Sequence, residues 1–89
     1  MNLRQESVLF FLTRAGCCLC DEALAFVEPM AGVRGLSVEL VDVDSDRALK
    51  REYGLRIPVV LLNGEVVGEG RIDREEFSRC LTAATFRRL

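Results

Sequence analysis

Residues 7 to 13, "SVLFFLT", form a short, nearly continuous apolar run rich in strand formers, which predicts a buried strand. From Cys18 the period changes. Leu24, Phe26, Val27 and Met30 can share one helical face, with Glu22 and Glu28 off it and Gly32 beyond the end. Asp21 and Glu22 in the first turn suit the positive end of the helix dipole. In "LSVELVDVD", residues 36 to 44, Leu36, Val38 and Leu40 alternate with polar neighbours before acids take over: a second strand. Asp44 or Ser45 is expected to cap a short helix through "RALKREYG", stopped by Gly54. Asn63-Gly64 lies between Val59–Leu62 and Val66–Val67, as a two-residue hairpin turn of the primed type prefers. Asp73 followed by Glu76 has the spacing of a capping box, and the helix it opens places Phe77, Cys80 and Leu81 on one face.

The resulting order is strand–helix–strand–helix–strand–strand–helix. An alternating start followed by a hairpin and a terminal helix predicts an α/β fold, βαβαββα, with a small mixed sheet and helices on both faces. Residues 1–89 read as one domain, without repeat, low-complexity stretch or linker.

Composition narrows the function classes. The net charge is −2 with acids and bases interspersed, so no footprint for nucleic acid is visible. Arg87 and Arg88 near the C-terminus read as a solvated helix end. The chain has no histidine, which removes Cys–His and Ser–His–Asp catalysis and every zinc site that needs an imidazole. "MNLRQES" is no targeting segment, the run "VLFFL" is too short for a signal core, and nothing approaches a membrane span. A cytoplasmic protein is expected, without membrane or nucleic-acid partners. In that compartment a close cysteine pair is more often catalytic or metal-binding than structural.

"GCCLCDEALAF", residues 16 to 26, carries the candidate chemistry. Residues three apart are neighbours on a helix surface, so Cys17 and Cys20 can meet within disulfide reach. Cys18 and Cys20 project about 200° apart while helical, and Cys17 with Cys18 would need a strained ring of adjacent residues. The working pair is therefore Cys17 with Cys20. A strand ending in "TRAG" delivers Cys17 to a helix N-terminus, where unpaired N–H groups and the dipole stabilise a thiolate. Cys17 is the attacking sulfur. Cys20, one turn in and more buried, is the resolving sulfur that expels a mixed disulfide. Arg14 adds local positive charge, which Asp21 and Glu22 oppose.

The C-x-x-C spacing also serves zinc ribbons, but those need a second such pair, and only Cys80 remains, far along the chain. Cys80 fits a small hydrophobe with no chemistry. Cys18, directly after the nucleophile, reads as pointing outward or against the next strand, and is open to glutathionylation if exposed.

Two further segments carry both a structural and a functional reading. Pro58 in "LRIPVV" is an allowed first residue of a strand. Its functional reading is a cis Ile57–Pro58 bond facing the cysteines, which presents the Ile57 backbone to an extended substrate. "GEGRID", with Gly68 and Gly70, reads first as a plain strand-to-helix turn. Its functional reading is an anion cradle for a carboxylate beside Asp73.

With these pieces placed, the chain resembles the thioredoxin superfamily, and within it the glutaredoxin branch. It is similar in particular to short bacterial glutaredoxin-like proteins with "TR.GC.LCDEA" near the start. "TRAGCCLCDEA", "VDVDSD", "YGLRIPVVLLNGE" and "GRID" fall in the family's order and cover nearly the whole chain. The resemblance implies a thioredoxin-like, glutaredoxin-type fold, with Cys17 as nucleophile, Cys20 as resolving thiol and Pro58 as the cis-proline. It places Arg14 where a lysine usually meets a glutathione carboxylate, and Arg56 and Ile57 where Thr-Val precedes the proline. It likens Gly70–Asp73 to the segment that holds the other end of glutathione. Three departures stand out: Cys18-Leu19 replaces Pro-Tyr, acids follow Cys20, and Glu69 breaks the Gly-Gly pair.

The expected function is thiol–disulfide exchange on protein or glutathione mixed disulfides, by a monomer with no bound cofactor and glutathione as a possible co-substrate. The alternatives are a non-catalytic binding module of this fold, an iron–sulfur or metal-ligating protein, and a disulfide-stapled interaction protein with Cys80 bridged.

Overall fold

A computed structural model describes Leu3 and residues 7–86. The targeting reading of "MNLRQES" and the helix-end reading of Arg87 and Arg88 fall largely outside these residues. The elements are β1 (Val8–Thr13), α1 (Cys18–Val33), β2 (Ser37–Asp42), a 3₁₀ turn (Val43–Ser45), α2 (Arg47–Tyr53), β3 (Val59–Leu62), β4 (Glu65–Glu69) and α3 (Arg74–Phe86). Apart from the added 3₁₀ turn, this is the order that the periodicity predicts.

The sheet runs β2-β1-β3-β4. β1 pairs parallel with β2 and antiparallel with β3, and β3 pairs antiparallel with β4, which makes the sheet mixed. Leu9, Phe11, Val60 and Leu62 pack on one face with Cys20, Ala23 and Val27 of α1 and Phe77 and Leu81 of α3. Phe10, Leu12, Val59 and Leu61 pack on the other with Val41, Val43 and Leu49 of α2. Continuous apolar runs are what strands covered on both faces require. The β3–β4 connection is a tight turn in which Asn63 and Gly64 both take positive φ, 51° and 81°, as a type I′ turn demands.

The structure corrects the element details in five places. First, α1 continues through Gly32 to Val33 and contains Pro29. Pro29 is tolerated because it and Ala25, whose carbonyl loses its N–H partner, both face solvent. The helix ends on Gly35 instead, at φ 73°, with Leu36 N–H bonding Ala31 O at 2.9 Å and Gly35 N–H bonding Gly32 O at 3.0 Å. This is a Schellman closure, which needs a left-handed residue after the cap. Second, the buried stripe of α1 is Cys20, Ala23, Val27 and Ala31, while Leu24, Phe26 and Met30 flank it half-buried. Small residues let the helix lie close to the sheet.

Third, β2 is an edge strand, so Leu40 is 55% exposed although the alternation marked it as inward. Fourth, α2 is capped by Asp46, whose Oδ1 accepts from Ala48 N at 2.8 Å and Leu49 N at 3.3 Å. Asp42 opens the 3₁₀ turn by accepting from Asp44 N at 2.9 Å. The expected caps Asp44 and Ser45 lie inside that turn. Fifth, α3 buries Phe77, Leu81 and Ala84, and Cys80 is exposed. Asp73 does cap α3, its Oδ2 accepting from Glu76 N at 2.9 Å.

The corrected α3 face has a direct test. Phe77 is buried and meets Phe26 edge-on, with ring centroids 6.1 Å apart. Phe77→Ala is expected to cost about 3–5 kcal/mol in urea denaturation, the range for a buried phenylalanine. Cys80→Ala, three residues on, should stay within about 0.5 kcal/mol of the parent. A large loss in Cys80→Ala would contradict the assigned face.

Candidate active site

The topology collects the chemistry at one edge of the sheet. Leu12 of β1 pairs with Val59 of β3, which pairs with Glu69 of β4, and Thr13 pairs with Asp42 of β2. The segments that follow β1, β2 and β4, and the one that precedes β3, therefore emerge side by side. They carry Arg14 to Cys20, Asp42 to Asp46, Arg56 to Pro58, and Gly70 to Asp73.

Cys17 is the N-cap of α1, in extended conformation, and its N–H bonds Arg14 O at 3.3 Å. Its Sγ accepts the N–H of Cys20 at 3.1 Å, so a helix-terminal donor is aimed at the sulfur. Such a donor favours negative charge there once the thiol is free. Cys17 and Cys20 are joined in a disulfide with Cα atoms 5.2 Å apart. Cys17 is half-buried and Cys20 is 1% exposed, so an incoming sulfur has access to one side of the bond only. Cys18 is exposed and free, and Leu19 is half-buried. The Ile57–Pro58 peptide bond is cis. Turn hydrogen bonds run on either side of Ile57: Arg56 N–H to Tyr53 O at 2.8 Å, and Gly70 N–H to Arg56 O at 3.0 Å and Pro58 O at 2.9 Å.

The two arginines of this edge are both engaged. Arg14 meets Asp44 through two hydrogen bonds, Nε to Oδ2 at 2.7 Å and Nη2 to Oδ1 at 2.8 Å, and its Nη1 reaches Gly54 O at 3.3 Å. Gly54 lies close under this corner, where an added Cβ would collide with Lys50 O. Arg56 meets Glu69 in the same forked manner, Nε to Oε2 and Nη2 to Oε1 both at 3.0 Å, and bonds Glu52 Oε1 at 3.3 Å. Its guanidinium lies 5.0 Å from the Tyr53 ring centroid. The hydrogen bonds from Arg14 and Arg56 hold the Asp44 and Glu69 carboxyls below their usual range, and in return raise both arginines.

Gly70 and Asp73 sit at the expected turn, but their polar groups already have partners: the Gly70 N–H bonds two carbonyls and the Asp73 carboxylate caps α3. A shallow depression between β4 and α3 is lined by Gly68, Glu69, Arg71, Ile72, Asp73 and Glu76, among others. Among the described residues no three His, Cys, Asp or Glu side chains converge as ligands for a metal ion. No helix there is long and apolar enough to cross a membrane. Sequence reasoning missed Asp44 as the partner of Arg14, because the two are thirty residues apart and no local periodicity links them. The Glu52–Arg56 spacing of four was a readable signal.

These pairs give a pH signature. A carboxylate held below its usual range stabilises the fold above that range and loses its contribution as the pH falls through the lowered value. Asp44→Asn and Glu69→Gln should therefore unfold at lower urea than the parent at neutral pH. The gap should close as the pH falls below about 4, where the parent's own carboxyls protonate. A gap that stays constant with pH would mean the ion pairs contribute nothing.

The fold has counterparts elsewhere. Residues 8–82 match the family described as glutaredoxin-like domain (DUF836). Uncharacterised proteins of Mycobacterium bovis and Mycobacterium tuberculosis are 30% identical over 80 residues, which is 84% of this chain and 82% of theirs. A structural-genomics target from X. campestris superposes with a TM-score of 0.71 at 30% identity, covering 84% of this chain and 96% of that one. A mutant thioredoxin from Halobacterium salinarum does so with a TM-score of 0.66 at 29% identity, covering 91% and 76%. With the mixed sheet, the helices on both faces and a disulfide at the mouth of α1, the chain belongs to the glutaredoxin-like family of thioredoxin-fold domains.

Proposed function

We propose that the protein is a thiol–disulfide oxidoreductase that passes two electrons from Cys17 and Cys20 to disulfides of proteins or of glutathione. The observation that carries this reading is the Cys17–Cys20 disulfide, half-open at Cys17 and buried at Cys20, at the N-terminus of a helix. The similarity to a thioredoxin supports it.

In the reduced protein the Cys17 thiolate attacks one sulfur of a substrate disulfide R–S–S–R′. A Cys17–S–S–R bond forms and R′S⁻ leaves, taking up a proton from solvent. The Cys20 thiol, deprotonated as it reacts, then attacks Cys17 Sγ and expels RS⁻. The dithiol is oxidised by two electrons and the substrate reduced by two, which leaves the disulfide seen here. The Cys20 N–H on Cys17 Sγ steadies the thiolate charge that the first step consumes and that re-reduction of the pair restores. In this reading the Ile57 backbone, at the same edge and between turn hydrogen bonds that pass it by, pairs with the extended segment around the substrate disulfide. Pro58 offers no competing N–H there. Turnover takes place in the cytoplasm, with a cellular thiol returning the pair to its reduced state.

Removing the resolving sulfur stalls the reaction after its first step. A reduced Cys20→Ser protein is expected to accumulate a mixed disulfide at Cys17 when given glutathione disulfide or an oxidised protein, read by peptide mass mapping. Cys17→Ser should show no adduct at Cys20, which is buried. Cys18→Ser should keep the full two-step exchange, because its exposed thiol takes no part. If Cys20→Ser traps nothing at Cys17 from either substrate, the proposed activity is wrong.

A further inference from the structure

The arginines of the two segments that carry Cys17 and Ile57–Pro58 each face an acid of their own chain, and this bears on which disulfides the site accepts. Arg14, whose backbone carbonyl receives the Cys17 N–H, is forked onto Asp44 and also bonded to Gly54 O. Arg56, beside Ile57–Pro58, is forked onto Glu69, bonded to Glu52 and stacked on Tyr53. A ligand carboxylate at either arginine meets a guanidinium whose charge a resident carboxylate already compensates, and must approach beside that acid. The other charges of this edge are mixed, with acids in excess. Lys50 acts on Asp44 and Asp42 on Arg14. Asp21, in the first turn of α1, and Glu22 after it are exposed. Arg71 lies among Glu69, Asp73 and Glu76, and Arg74 stacks 5.7 Å from the Phe26 ring.

We infer that Asp44 and Glu69 are specificity-determining residues: by holding Arg14 and Arg56 they turn the Cys17–Cys20 pair toward uncharged or cationic disulfides and away from glutathione disulfide. This rests on the redox reading above and names its substrate class. Each half of glutathione disulfide carries more carboxylate than ammonium, so it meets an excess of acids and no uncompensated guanidinium at Arg14 or Arg56. A disulfide flanked by basic or neutral groups meets complementary charge.

The test is a charge series. Pre-reduced protein is mixed with cystamine (cationic), 2-hydroxyethyl disulfide (neutral) or glutathione disulfide (anionic), and the single-turnover oxidation of Cys17–Cys20 is followed by quenching and mass spectrometry. Each rate is divided by that of a small neutral thiol with the same disulfide, which removes differences in leaving group. The expected order is cystamine, then hydroxyethyl disulfide, then glutathione disulfide. Added salt should narrow the spread from both ends.

In Asp44→Asn and in Glu69→Gln the ratio of the glutathione rate to the hydroxyethyl rate should rise by about fivefold, the factor that one exposed ion pair supplies. In the charge-neutral double variants Arg14→Gln with Asp44→Asn, and Arg56→Gln with Glu69→Gln, the ratio should stay at the parent's value, because those arginines are not available to the anion. The inference is overturned if glutathione disulfide is the preferred substrate of the parent. It is also overturned if the ratio is unmoved in both acid variants, or if it falls when an arginine and its acid are removed together. Failure to react with any of the three disulfides would instead sink the redox reading itself.

Discussion

Strand β1 has no solvent face between Leu9 and Leu12. Leu9 and Phe11 belong to the cluster under α1 and α3, and Phe10 and Leu12 to the one that covers the opposite face with α2. A slip of one residue would exchange the two sets, placing each phenylalanine in a space shaped for its neighbour's partners. This double burial holds Thr13, the last residue of the strand, against β2 and Leu12 against β3. Everything chemical hangs from that end. The Cys17 N-cap follows four residues later, and the antiparallel pairing with β3 brings Ile57 and Pro58 to the same edge.

The site built on this frame separates two tasks. Sulfur chemistry depends on α1: the helix start supplies a donor to Cys17, and one turn of helix carries Cys20 into the core, out of reach of anything but Cys17. Charge recognition depends on the loops, which are cross-tied by the Arg14–Asp44 and Arg56–Glu69 pairs. Exposed pairs of this kind contribute little to stability. Their consequence is local, because they decide which charged groups at the edge still lack partners.

The correspondence between sequence and structure varies from element to element. β1, β3 and the Asn63-Gly64 turn were legible, since continuous apolar runs and a primed turn have local causes. So was the Cys17–Cys20 pairing, which follows from helical spacing. The ends and faces of the helices were less legible. Gly32 looked like a stop, but a helix can absorb a glycine, whereas the left-handed closure at Gly35 cannot be met by most other residues. Leu40 looked like core because alternation says which face a residue is on, not whether anything covers it. Cys80 was counted with Phe77 and Leu81, but the buried stripe of α3 runs through Phe77, Leu81 and Ala84 and leaves Cys80 exposed beside it.

By itself the sequence determined the order of the elements, the strands covered on both sides and the pair of sulfurs able to meet. Each of these depends on residues within a turn or two of one another. Only the tertiary structure decided which strand lies at the sheet edge, and that Arg14 is held by Asp44 and Arg56 by Glu69. The first partnership spans thirty residues and the second crosses a hairpin. The reason is physical: a side chain's charge is written in the sequence, but whether that charge is free to meet a ligand depends on which distant group the fold sets against it.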